Sequence, residues 1–103
     1  MSKKFRDENT DMFIKAVATL NDEKECYDFF YDLCTESEIK AMAQRLQVAR
    51  MLKKSKVYSE IVSKTQAGTA TISRVNNSLI NGTGGYARAI ERAESALFGG
   101  DVQ

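Results

Sequence analysis

The run Thr69-Ala70-Thr71-Ile72-Ser73 concentrates short hydroxyl side chains next to one another. With no histidine in the chain to activate them as nucleophiles, such hydroxyls are better suited to reading polar surfaces. Small side chains let a helix backbone come close to a base pair, their hydroxyls reach phosphates or base edges, and an alanine methyl can meet a thymine methyl. Thr69, Ala70, Thr71 and Ser73 are therefore the expected base-facing set. Lys53, Lys54, Lys56 and Lys64 precede them in the chain and carry the ammonium groups that neutralise a phosphate backbone.

Most other chemistry is disfavoured by what is missing. The 103 residues contain no histidine, which removes the commonest general base. Cys26 and Cys34 lie eight residues apart, so a zinc ion could draw on two thiolates and carboxylates alone. Both cysteines have apolar or aromatic neighbours and read as buried reduced thiols. "NGTGG" at 81–85 resembles a phosphate-cradling loop only in composition, because no strand precedes it. No catalytic constellation can be assembled, and no metal or cofactor is expected. The chain reads as a non-enzyme. The apolar stretch "MFIKAVATL" is interrupted by Lys15 and is too short to span a bilayer, so the cytoplasm is the expected compartment.

Net charge is only +1, but its distribution is uneven. Residues 1–39 hold five Lys/Arg against ten Asp/Glu, whereas residues 40–74 hold eight Lys/Arg against Glu60 alone. A segment of net charge +7 beside an acidic one favours an anionic partner at one end of the molecule. A solvated basic face is the plainer account of the same pattern.

The elements that position these residues follow from periodicity. A chain of this length fits one domain, 1–103, and the absence of proline favours helices throughout. Met12, Phe13, Ala16, Val17 and Leu20 recur at helical spacing over 6–20. Asn21 or Asp22 is placed to cap a second helix, "EKECYDFFYDLC". Its Cys26, Phe29, Phe30, Leu33 and Cys34 supply more apolar surface than a short helix buries within one small chain, which favours a second copy. "TESE" at 35–38 is a capping box, with Ile39, Met42, Leu46, Ala49 and Leu52 forming one stripe behind it through about residue 53. Helices at 58–65 and about 69–80 follow, then the glycine break and a last amphipathic helix carrying Tyr86, Ala89, Ile90, Ala93 and Leu97.

Two short helices joined by a small-residue turn, the second polar and basic, have the layout of a helix-turn-helix at about 57–80. Ile61 and Ile72 should pack the pair together, and Ala67 and Gly68 should permit the tight turn. Residues 35–79, "TESEIKAMAQRLQVARMLKKSKVYSEIVSKTQAGTATISRVNNSL", resemble the Trp repressor family, and within it the YerC/YecD-type branch. The resemblance rests on the capping Thr35, Ala41–Arg45, the helix-turn-helix, Gly68–Arg74 and Asn77–Leu79 taken in order.

That resemblance implies an all-α, six-helix fold forming an intertwined homodimer, with two recognition helices in successive major grooves of operator DNA. Ser59, Lys64, Gln66 and Gly68 would sit by the DNA backbone, together with Lys53, Lys54 and Lys56. It also implies a small effector held near Thr35, Arg45, Arg74 and Ser78, where guanidinium planes could sandwich a flat ligand and Arg74 could bind a carboxylate. Phosphate contact or pairing with Glu60 is the alternative role of the two arginines.

Three departures matter. Val75 follows Arg74 where the family has a glycine that leaves room for an indole, which argues against tryptophan as the effector. Gln66 stands where the turn usually has glycine, and Val62 where the Trp repressor has a lysine. The expected function is a sequence-specific DNA-binding transcriptional regulator, a repressor controlled, where it is controlled, by an effector other than tryptophan. The competing expectation is a helical adaptor that binds another protein.

Overall fold

The computed structural model describes residues 5–99. Six α-helices follow one another: α1 (Glu8–Ala18), α2 (Glu23–Leu33), α3 (Glu36–Lys53), α4 (Tyr58–Thr65), α5 (Thr69–Asn81) and α6 (Gly85–Glu94). A single turn of π-helix, Ser95–Gly99, closes the described chain. There is no strand among the described residues. The expected six-helix, all-α class is what forms. The last helix is shorter than its apolar pattern suggested, because α-helical bonding gives way to the π turn after Glu94.

The chain divides into two compact units, Met1–Ile39 and Lys40–Gln103. In the first, each helix starts on a side-chain cap that satisfies an otherwise orphaned amide. Asp7 Oδ1 accepts from the Thr10 amide at 2.7 Å, and Asp22 Oδ1 from the Glu25 amide at 2.9 Å. At the start of α3 the capping box closes in both directions. The Thr35 amide donates to Glu38 Oε1 at 2.7 Å, and the Glu38 amide donates to Thr35 Oγ1 at 3.2 Å.

The apolar side chains of this unit are at most partly covered. No residue of α1 or α2 is buried, although Phe13, Phe29 and Phe30 cluster, with ring centroids 6.3 Å and 5.4 Å apart in sequence order. Cys26 and Cys34 are free thiols and only half-buried, against the expectation of burial. Two helices of eleven residues present more apolar surface than they can hide in each other.

The second unit contains a true core. Val48, Ala49 and Met51 of α3, Ile61 of α4, Ala67 of the turn, Ile72 and Val75 of α5 and Ile90 of α6 form one buried cluster. Leu52, Leu79 and Tyr86 pack against its edge. The expected α3 stripe is thereby corrected in part. Ala49 and Leu52 face the core, but Met42 and Leu46 remain exposed and Val48 and Met51 are buried instead. Two residues along an α-helix turn by about 200°, so Leu46 and Val48 point to nearly opposite sides. α3 is apolar on both sides, and the chain's own core covers one of them.

Candidate nucleic-acid interface

Ile61 of α4 and Ile72 of α5 are both buried in one core, as expected of the residues that pack the pair together. The turn between them is made without a glycine at its left-handed position. Gln66 adopts φ 64° and ψ 13°, and its amide donates to the Val62 carbonyl at 2.8 Å. A side chain there costs about 1 kcal/mol relative to glycine, offset by a local network. Gln66 Nε2 donates to the Ser63 carbonyl at 2.9 Å. Thr65 Oγ1 donates to the Ile61 carbonyl at 2.7 Å and accepts from the Ala67 amide at 3.2 Å. From α3, Gln44 Nε2 donates to the Thr65 carbonyl at 3.0 Å.

α5 is sharply divided. Ile72 and Val75 lie in the core and Leu79 at its edge, while Thr69, Ala70 and Ser73 are exposed and Thr71 is half-buried. Gly68 precedes the helix in an extended conformation at φ −78°, and no side chain caps the amides of the first turn. A Cβ at Gly68 would meet nothing within 4 Å. The fold itself therefore does not require a glycine there. The start of α4 lacks a side-chain cap as well, as does that of α6, in contrast to α1, α2 and α3.

The basic residues divide into paired and unpaired groups. Lys54 Nζ lies 3.7 Å from Glu94 Oε2, and Lys56 Nζ lies 4.0 Å from Glu60 Oε2. Lys53, Lys64, Arg45 and Arg74 form no ion pair among the described residues. Ser59 and Gln66 are exposed, Gln66 with its amide nitrogen bonded within the turn. Glu60, expected as a partner for an arginine, sits opposite Lys56 one turn away.

The residues assigned to an effector are dispersed in role. Arg74 and Ser78 are exposed one turn apart on α5, and Arg45 is half-buried on α3. The Thr35 hydroxyl is occupied as the cap of α3. Val75 is 2% exposed and packs in the core.

Two side chains missed in the sequence organise this unit. Gln44 gave no signal because its partner is a main-chain carbonyl 21 positions away. Glu94 ties α6 to α3, with Arg50 Nε at 2.9 Å from its Oε2. The Arg50 hydrogen bond, aided by the charges of Lys54, Arg50 and Lys53 and opposed by desolvation, lowers the Glu94 pKa. A carboxylate depressed in the folded state stabilises it above the ordinary glutamate pKa of about 4.3. That contribution is lost as pH falls through the lower folded-state value. Glu38 and Asp7, held down chiefly by the Thr35 and Thr10 amides, act in the same sense. Thermal melts are expected to show a midpoint that falls on acidification below about pH 4.3, with a shallower fall in Glu94→Gln.

An all-helical chain whose core positions an exposed, hydroxyl-lined helix behind a tight turn is a helix-turn-helix protein. A model of the Trp repressor protein family matches residues 8–94, and the chain belongs to that family. It is 45% identical over 91 residues to the uncharacterized protein YerC of Bacillus subtilis, with 88% of each chain covered. A TrpR-like protein from Eubacterium eligens has a crystal structure similar at a TM-score of 0.84 and 44% identity, covering 90% of this chain and 96% of that one. A candidate Trp repressor from Staphylococcus aureus matches at 0.82 and 43%, covering 89% and 92%. No helix among the described residues is long and apolar enough to cross a membrane.

Proposed function

We propose that the protein is a sequence-specific DNA-binding transcriptional regulator, a repressor, that acts in the cytoplasm as an intertwined homodimer with the whole chain as one Trp repressor-like domain. The observation that carries this reading is the division of α5. Its apolar residues are spent on the core, and Thr69, Ala70 and Ser73 are left exposed beside an uncapped helix start and the open space at Gly68. Free amides at a helix N-terminus favour a phosphate, and a glycine the fold does not need permits close approach of backbone to backbone. Lys53 and Lys64 form no ion pair among the described residues and supply the first phosphate contacts. Lys54 and Lys56 would exchange a carboxylate for a phosphate.

The dimer is supported by the uncovered apolar side chains of α1 and α2 and by the second apolar side of α3, Met42 and Leu46. A helix apolar on both sides is normally buried on both. A small effector other than tryptophan would draw on Arg74 and Ser78, exposed, and on the half-buried Arg45, with Val75 in place of glycine arguing against an indole. With its hydroxyl engaged as a cap, Thr35 is the weakest member of that set.

Selection of bound duplexes from a random pool, with and without an amino-acid mixture, tests the reading. A palindromic consensus is expected, with affinity falling linearly in log salt as counterions are released. The absence of affinity for any duplex at low salt would end it and favour the adaptor. An affinity that changes with one component of the mixture would identify an effector.

A further inference from the structure

Among the described residues, two side-chain hydrogen bonds join positions more than four apart, and both start on α3. Arg50 reaches Glu94 at the end of α6, and Gln44 reaches the Thr65 carbonyl at the end of α4. Thr65 is the last helical residue before the left-handed Gln66, so Gln44 grips the chain where it changes direction. The same threonine bonds the Ile61 carbonyl and the Ala67 amide through its hydroxyl. One residue thus links the long helix, the core residue of α4 and the buried turn residue Ala67.

From this geometry we infer that Gln44 is a positioning residue for the reading helix: its amide sets the turn from which α5 departs. The inference rests on the DNA-binding reading for its consequence, though not for its geometry. Burial of Ile61 and Ile72 in one shared core holds the two helices together but is non-directional. It tolerates small rotations of one helix against the other. A hydrogen bond is directional, and the Gln44 bond acts on the turn itself, where a strained left-handed residue would otherwise relax. The residues that would face bases begin three positions after Gln66. A small rotation at the turn is therefore carried directly into the register of Thr69 and Ser73 against the bases. Phosphate contacts made by flexible lysines would absorb the same rotation. Loss of Gln44 should cost discrimination between sites more than affinity as such.

The test uses the full chain. Gln44→Met keeps the length and removes the donor; Gln44→Glu faces the Thr65 carbonyl with an acceptor; Gln44→Lys keeps a donor as a rescue. Amide exchange on the free protein should speed up about three- to tenfold at Gln66 and Ala67 in the Met and Glu variants, the worth of one hydrogen bond. Exchange at the core amides should stay the same, and the Lys variant should return toward wild type. On the selected site against a random-sequence duplex, the affinity ratio should fall by a similar factor while the random-duplex affinity holds. Should Gln44→Met fail to fold, Gln44→Glu supplies the same readouts. Unchanged exchange at the turn overturns the inference whatever the DNA result, and so does a preserved affinity ratio. Wild-type protein with no preference among duplexes overturns the DNA-binding reading instead, and is seen before any variant is made.

Discussion

Ile72→Ala is expected to destabilise the protein by about 2–5 kcal/mol, the range for removing a fully buried isoleucine from a packed core. A domain of this size has about 5–15 kcal/mol in total, so one truncation removes a large fraction. The effect should lie at the upper part of the range for a structural reason. α5 has two buried residues, Ile72 and Val75, and between them they secure thirteen residues of helix. Ile72 also shares the core with Ile61 of α4, so the cavity opens in the core common to the two helices. Ile80 is the internal control, with the same residue type on the same helix but 69% exposed. Ile80→Ala should change stability by no more than about 0.5 kcal/mol. Urea unfolding of the two variants checks the pair. Equal costs would mean that α5 is not anchored through Ile72.

That contrast also marks what could be read in advance. Helix starts were legible where a side chain announces them. Thr35 and Glu38 at capping-box spacing, and Asn21 or Asp22 ahead of an apolar run, are local signals with local partners, and Asp22 is the one that caps. Ile61 and Ile72 were legible because a short amphipathic helix has few apolar residues from which to choose. α3 was less so. With apolar residues on both sides, a single-stripe reading selects one face, and it selected Met42 and Leu46, which the chain's own core does not use. The left-handed turn was legible only as a missing glycine. Gln66 takes that conformation because packing and the Gln44–Thr65–Ala67 bonds outweigh a propensity cost of about 1 kcal/mol. Gln44 and Glu94 were illegible for one reason: each meets a partner tens of positions away, and neither residue type foretells it.

The two apolar faces and the charge asymmetry meet in one physical picture. The acidic segment carries aromatic residues that are at most half-buried, and the basic segment carries most of the chain's buried core. A charged, self-contained helix-turn-helix unit suits an anionic partner, because it does not need that partner in order to fold. The acidic unit, whose helices bury none of their own residues, would on the dimeric reading meet a partner of the kind that hides hydrocarbon. Dimerisation and DNA binding would then be assigned to different parts of the chain, and a substitution on the exposed face of α5 should leave assembly intact.

Thr69→Glu turns this into an experiment in which stability and binding move in opposite directions. Thr69 is the first residue of α5, exposed, with no side-chain cap before it. A carboxylate in the first turn of a helix interacts favourably with the macrodipole and its free amides, by about 0.3–1 kcal/mol. Thermal melting should therefore show a variant as stable as the parent or slightly more so. If α5 enters the major groove, the same carboxylate faces phosphates and base acceptors. Like charges brought together at an interface cost several kcal/mol, so affinity should drop by about 100-fold or more on every duplex. Fluorescence anisotropy with a labelled site measures it, and sedimentation should return the same oligomeric state for both proteins. A variant that melts higher but binds DNA undiminished would remove the start of α5 from the interface. A variant that loses both would show that Thr69 serves the fold, which its exposure and lack of a capping role speak against.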